Sequence, residues 1–290
     1  MTATFEQWRP KLFAIAYRML GSSVEAEDVV QDAYLRYLAI SSAEKQDIDS
    51  EEAWLRTVAI RLALDRLKSA RMQRETYVGP WLPEPVRTDH SNWIDPADAT
   101  EQYDSLSMAF LLLLESLTPD SRAVFLLRQV FEYDYGEIAL ILGKSEANCR
   151  QLFSRARKLI DAQRSRLRNT PDEHRALLEQ CISAFQAGDV SALMELMAED
   201  VVSQSDGGGK VSAATKPLQG KDHVTKLLLG LRRFIEPGMT FEIAMINGRE
   251  GIINWKADGT IDNVMIFTVA EGKIQSVFIV RNPDKLTRLT

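Results

Sequence analysis

The chain of 290 residues has only two cysteines, Cys149 and Cys181, and three histidines, His90, His174 and His223. Two thiols exclude a disulfide framework, and no Cys or His pair has metal-ligand spacing, so neither a metal nor a cofactor is expected. No apolar run approaches the roughly 18 residues of a membrane span; FLLLLESL is far too short. The N-terminal MTATFEQWRPK carries acids and no apolar core, which excludes a signal peptide. These absences predict a soluble, cytoplasmic protein that makes no membrane contact. Hydrophobic residues make up 45% of the chain, enough to fill two or three domain cores.

Net positive charge is also missing. At −6 the chain is unsuited to indiscriminate nucleic-acid binding, which draws its affinity from phosphate neutralisation. The bases that exist are gathered, however. Residues 145–168 hold seven (Arg150, Arg155, Arg157, Lys158, Arg164, Arg166, Arg168) against Glu146 and Asp161. Residues 56–75 hold six against Asp65 and Glu75. Locally basic helices on an acidic chain suit nucleic-acid contact that needs a partner to become productive.

Hydrophobic periodicity divides the chain. Residues 5–40 read as two helices broken at GSS (21–23), with Ser23 capping the second. Residues 41–51 read as a polar loop, and a long helix follows from about Glu52 to Glu75 with Ala53, Leu55, Val58, Ala59, Leu62 and Leu67 inward. Residues 79–105 are a linker rich in proline, acid and aromatics. Helices resume from about Glu101, and Thr118 with Pro119 marks another helix start. After residue 172, two helices precede alternating runs (MTFEIAMING, EGIINWKAD, TIDNVMIFTVAEG, KIQSVFIVRN) that read as strands. The predicted architecture is multidomain: two all-α domains at 1–78 and 106–168, the linker between them, and an α+β domain at 172–290.

YGEIALILGKSEANCRQLFSRARKLI (135–160) has helix-turn-helix spacing. Gly143 sits at the turn, where a positive φ is cheap for glycine, and Ser145 is placed to cap the second helix. Cys149, Leu152, Phe153 and Ala156 form its inward stripe. Glu146, Arg150, Gln151 and Ser154 face outward and are of the types that read base edges, while Arg155, Arg157 and Lys158 suit phosphates.

The segment 117–160 resembles region 4, the −35-binding part of bacterial extracytoplasmic-function sigma factors, and AYRMLGSSVEAEDVVQDAYLRYL resembles their region 2. The remainder is similar to the SnoaL-like domain, a cone of curved sheet and helices, that is fused to one subgroup of these factors. Three motifs mark that subgroup, and all stand here: WLPEP (Trp81, Leu82, Pro83, Glu84, Pro85), DGGGK (Asp206, Gly207, Gly208, Gly209, Lys210) and NPDKL (Asn282, Pro283, Asp284, Lys285, Leu286). The resemblance implies binding to core RNA polymerase and promoter DNA. It implies polymerase docking by Asp28, Gln31 and Asp32, which share one helical face, and −10 DNA contact by Arg61, Lys68 and Arg71. It also implies that regions 2 and 4 separate on polymerase, and that the C-terminal domain regulates the rest.

Two stretches invite an enzyme reading. QSDGGGKVS is not a phosphate-binding loop, because Gln204 and Val211 stand where Gly and Ser or Thr are needed; a strand-to-strand turn is expected. Some SnoaL-like relatives are enzymes with Asp or His in the pocket, but Asp206, His223, Trp255 and Asp262 show no acid–base spacing. No catalysis is expected, and a small-molecule ligand of that domain remains an open alternative. The stiff, proline-rich YVGPWLPEP (77–85) exposes Trp81 and Leu82 unless a surface covers them. The expectation is that the C-terminal domain supplies it near DGGGK or NPDKL, with Glu84 placed to pair with Lys210 or Lys285. The plainer alternative is packing of Trp81 on region 2.

Overall fold

The computed structural model describes residues 3–74, 76–89, 105–164 and 171–289. The described chain forms two compact units. The first takes residues up to 74, 105–106 and 110–163; the second takes 76–89, 107–109 and everything from 171 onward.

In the first unit, α1 (Ala3–Leu20), α2 (Ser23–Ala39) and α4 (Glu51–Arg74) pack around one another. Phe13, Tyr17 and Leu20 of α1, Val29 and Ala33 of α2, and Leu55, Ala59, Ile60 and Leu67 of α4 are all buried. Each large apolar side chain so buried contributes about 1.5–3 kcal/mol. Three expectations need correction. The cap of α2 is Ser22, whose Oγ accepts the Glu25 N–H, because Ser23 is already helical. The stretch 41–51 is not all loop: Ser42–Gln46 forms a single turn, α3, held by a Ser41/Glu44 capping box. Ala53 is exposed, since the buried stripe of α4 runs through Leu55 and Ala59.

Further along the described residues of this unit come α5 (Met108–Glu115), α6 (Pro119–Gln129), α7 (Tyr135–Leu142) and α8 (Glu146–Arg164). Thr118 caps α6 with Pro119 in its first turn. Asp134 and Glu137 cap α7 reciprocally, and Gly143 ends it at φ 63°. The Asn148 N–H donates to Ser145 Oγ at 3.3 Å, so Ser145 opens α8. Cys149 and Ala156 point inward and are buried, and Phe153 stacks on Phe125 at 5.9 Å. This helix-turn-helix packs against α4 through α6 and α7.

The second unit is α+β. Helices α9 (Pro171–Ala187), α10 (Val190–Leu196) and α11 (Lys221–Leu231) cover a six-stranded mixed sheet. Its order is β2–β1–β6–β5–β4–β3, from β1 (Met197–Asp206), β2 (Leu218–Gln219), β3 (Thr240–Ile246), β4 (Arg249–Trp255), β5 (Ile261–Ala270) and β6 (Lys273–Val280). Among the described residues only β1–β6 is a parallel pair. Register shifts between Met197/Val202, Asn254/Trp255 and Thr268/Val269 mark bulges, the devices that bend a sheet. Leu178, Cys181, Leu193, Val224, Leu228, Phe267, Val269 and Ile274 fill the space between helices and sheet. Burial pushes the Cys181 thiol up to about 12, so it is core and not a reactive thiolate.

His174, in α9, is 3% exposed, and its Nε2 lies 2.8 Å from the Glu250 carbonyl oxygen. Burial lowers its pKa, and the bond to Glu250 offsets this only in part, so the folded state holds the neutral ring. The unfolded chain takes up a proton near pH 6.5. It therefore binds more protons than the native state below that pH, and stability falls as the pH drops from about 7 to 5. His174→Gln is expected to flatten this part of the stability–pH curve in urea denaturation. An unchanged slope would contradict the assignment.

Candidate functional site

The sequence-nominated residues fall into three groups. The first lies on α8. Glu146, Arg150, Gln151, Ser154, Arg155, Arg157 and Lys158 are all exposed, as is Ser145 at the helix start. They form one polar, basic surface opposite the buried stripe of Cys149, Ala156 and Ile160. Arg150 donates to Glu146 at 2.8 Å, and Arg157 to Asp161 at 3.4 Å.

The second group lies on α2 and α4. Asp28 and Gln31 are exposed and Asp32 is half-buried, on one face of α2. Two features of this face were not foreseen. Leu35 and Leu38 continue it and remain 53% and 47% exposed, an apolar extension of an acidic patch. Arg66 of α4 reaches across to Asp32 at 2.7 Å and Asp28 at 3.3 Å, and also donates to the Glu25 carbonyl. It holds both carboxylates in place. The helical spacing of the leucines was visible in the sequence; the Arg66 bridge, between helices, was not. On α4 itself, Arg61 donates through Nε to the Ile141 carbonyl at 2.8 Å and through Nη2 to that of Leu140 at 3.1 Å. Those carbonyls end α7, where a cation is favoured. Lys68 and Lys144 share Asp120. The Arg71 side chain lies outside the described residues. The basic face of α4 is thus partly engaged by the helix-turn-helix.

The third group is the tightest. WLPEP, DGGGK and NPDKL meet in the second unit around one buried carboxylate. Asp206, the last residue of β1, is 0% exposed. Its Oδ1 accepts the Tyr77 hydroxyl at 2.6 Å and the Gly208 N–H at 3.0 Å. Its Oδ2 accepts the Leu82 N–H at 2.9 Å and the Lys285 ammonium at 2.7 Å. Lys285 also donates to the Leu82 carbonyl and lies 4.3 Å from the Trp81 ring centroid and 5.1 Å from that of Tyr77. Asn282 donates to the Tyr77 oxygen at 2.9 Å. Burial and the Asp206 carboxylate together raise the Tyr77 pKa, keeping its hydroxyl a donor. Gly208 sits at φ 62°, and a Cβ there would collide with the Asn282 side chain, so the glycine permits DGGGK and NPDKL to touch. Lys210 pairs with Asp284, and Leu82, Pro83, Glu84 and Pro85 are buried.

The linker then continues along the sheet. The Val86 N–H donates to Asn247 Oδ1 at 3.1 Å, and the Asn247 N–H returns a bond to the Val86 carbonyl at 2.9 Å. The Thr88 N–H donates to the Met245 carbonyl at 2.8 Å, and Arg87 pairs with Glu242 at 2.7 Å. Asn247 and Gly248 both have positive φ, the conformation of a tight Asn-Gly hairpin turn. The turn was legible in the sequence; its use as a dock for the linker was not. DGGGK itself is a turn leaving β1, closed by the Lys210 N–H on the Gly207 carbonyl.

The residues weighed for an enzyme site do not assemble. Asp206 is committed to the linker. His223 is exposed at the start of α11. Trp255 donates to Glu242, and Asp262 accepts from Asn263. A cavity of about 710 Å³ in this unit is lined by Gln186, Leu229, Arg232, Arg233, Ile235, Met239 and Phe241. Among the described residues no group of three His, Cys, Asp or Glu could hold a metal ion, and no helix is long and apolar enough to cross a membrane.

Comparison with known proteins gives these surfaces a family. Residues 4–72 match Sigma-70 region 2, residues 107–160 match Sigma-70, region 4, and residues 178–277 match the SnoaL-like domain. The chain is 37% identical to the ECF RNA polymerase sigma factor SigJ of Mycobacterium tuberculosis, across 98% of this chain and 92% of that one. It belongs to the extracytoplasmic-function (ECF) sigma factors. A probable ECF sigma factor of the same organism, SigI, is 30% identical over 100% of this chain and 96% of its own. The crystal structure of SigJ from M. tuberculosis superposes with a TM-score of 0.77 at 33% identity, covering 100% of this chain and 99% of that one. This ECF sigma factor therefore carries region 2 in α1–α4, region 4 in α5–α8, and a fused SnoaL-like domain, and its function is in transcription initiation.

Proposed function

We propose that this sigma factor docks on core RNA polymerase through Asp28, Gln31 and Asp32, contacts −10 DNA from α4 and −35 DNA from α8, and is restrained by its own C-terminal domain. One observation carries the restraint: the linker from Tyr77 to Thr88 is bound to the SnoaL-like domain, through Asp206 and Lys285 at one end and the Asn247 hairpin at the other. The linker joins regions 2 and 4. If those regions separate on polymerase, the linker must extend between them, and its attachment to the SnoaL-like domain favours the state off polymerase. A surface that binds one state in preference shifts the balance toward it. Within the first unit, the Arg61 bonds to α7 act in the same direction, because they occupy a −10 candidate with region 4 backbone.

The SnoaL-like domain catalyses nothing in this reading. Among the described residues its cavity is lined by arginines, an amide and apolar side chains, with no carboxylate, imidazole or thiol to move a proton. The same cavity favours a second reading, in which a small molecule bound there adjusts the restraint.

Asp32→Arg is expected to weaken holoenzyme assembly by at least about tenfold, or 1.4 kcal/mol, because it reverses the charge of the docking face and places two guanidiniums together at Arg66. Native-gel titration with core polymerase measures this. Normal assembly would remove the docking assignment.

A further inference from the structure

Tyr135 is the first residue of α7, and its ring lies beneath α8. The Arg150 guanidinium carbon sits 4.5 Å from the ring centroid. One turn back, Glu146 Oε2 accepts from Arg150 Nη2 at 2.8 Å. The ring is itself held. It meets Phe153 edge-on at 6.1 Å, Phe153 stacks on Phe125, and the Arg128 guanidinium lies 5.2 Å from the same centroid. Arg128 is tied back to the Tyr133 carbonyl at 2.9 Å. The Asp134/Glu137 capping box fixes the start of the helix that carries Tyr135.

These contacts act on one exposed guanidinium. An arginine on a helix surface otherwise spreads over many rotamers, and reading a guanine edge requires its planar fork to be aimed. The Tyr135 ring holds the guanidinium carbon at 4.5 Å without accepting an N–H, so the donors not given to Glu146 are left for a base. The ion pair to Glu146 fixes the direction. Arg157 shows the contrast: among the described residues it bonds only to exposed Asp161, at a long 3.4 Å, and no ring of those residues lies beneath it.

We propose that Tyr135 is a positioning residue for promoter recognition: its ring, together with Glu146, holds the Arg150 guanidinium for one G·C pair of the −35 element. This rests on the reading that α8 contacts that element. The experiment is equilibrium binding of the holoenzyme, assembled from the full-length chain and core polymerase, to promoters varied singly at each −35 position. The wild type should prefer one base pair, and Arg150→Ala should erase that preference. Tyr135→Leu should reduce the same preference by about two- to fivefold, the value of one exposed cation–π contact, and leave promoters already changed at that pair unaffected. Tyr135→Phe, which keeps the ring, should bind as wild type. In the Arg150→Ala background, Tyr135→Leu should do nothing more. Equal weakening by Tyr135→Leu on every sequence, or additivity with Arg150→Ala, would overturn the proposal by showing a structural role alone. If Arg150→Ala erases no preference, the reading of α8 falls and the proposal falls with it.

Discussion

Glu115→Leu is expected to destabilise the first unit by about 3–5 kcal/mol, the cost of leaving buried charge without its partner. The Glu115 carboxylate, at the end of α5, receives Arg74 from α4 and Arg122 from α6. The Arg122 side chain is 2% exposed, and Arg122 also donates to the Arg18 carbonyl at 3.2 Å. Arg18 is itself 1% exposed, held by Ser105 Oγ at 2.9 Å and lying 5.6 Å from the Phe131 ring centroid. Burial pushes its pKa down to about 10, which still leaves it charged. One carboxylate thus serves two guanidiniums directly. Burial pushes the Glu115 pKa up, but Arg122 and Arg74 outweigh it, and the carboxyl lies below its ordinary value. A depressed carboxyl contributes stability that is complete above the unfolded pKa, about 4.3, and is lost as the pH falls through the folded value. Hydrogen exchange of α1 and α6 measures the loss in the variant. Replacing Arg74 and Arg122 with methionine alongside Glu115→Leu should recover most of it, because an apolar cluster of similar volume needs no counter-charge. Wild-type protection in Glu115→Leu would contradict the account of this cluster.

Asp206→Ala should have a comparable effect in the second unit, concentrated on the linker. It leaves the Lys285 ammonium, 8% exposed, without its anion. It also leaves the Tyr77 hydroxyl and the Leu82 and Gly208 N–H groups without their acceptor. The expected cost is again about 3–5 kcal/mol, and it should appear as fast exchange over 77–88 while β5 and β6 stay protected. That pattern follows from placement. Asp206 ends its strand, whereas Phe267 and Val277 belong to the apolar core between sheet and helices. By comparison Arg87→Ala removes a partly exposed pair with Glu242 and Asp89 and should cost at most about 1 kcal/mol.

These two clusters also mark where the sequence stopped being informative. Local chemistry was legible at several caps, turns and strands. Thr118–Pro119, Gly143 and Ser145 sit where turn and capping rules place them, and the alternating runs after 239 became β3–β6. The first strand was legible only as the element before the DGGGK turn, because MAEDVVSQSD carries exposed Glu199 and Asp200 and alternates only from Val201 onward. The short α3 was missed because its five polar residues have no apolar period, only a capping box. Nothing local in the sequence marks Arg18, Glu115 and Arg122 as a cluster, since their partners come from distant helices. The linker motifs were nominated by family resemblance and not by any spacing. Their meeting place needed Tyr77, Asn247 and the Asp206–Lys285 pair, whose members lie far apart along the chain.

The restraint of the linker is the central claim, and its most direct test is single-round transcription by core polymerase with full-length wild-type or Asp206→Ala sigma factor on one promoter. Hydrogen exchange on the same samples should establish that the linker is released and the sheet intact. The account predicts faster or more complete initiation by Asp206→Ala, because opening no longer competes with the bound linker. Initiation at the wild-type rate by a variant whose linker is demonstrably free would contradict it.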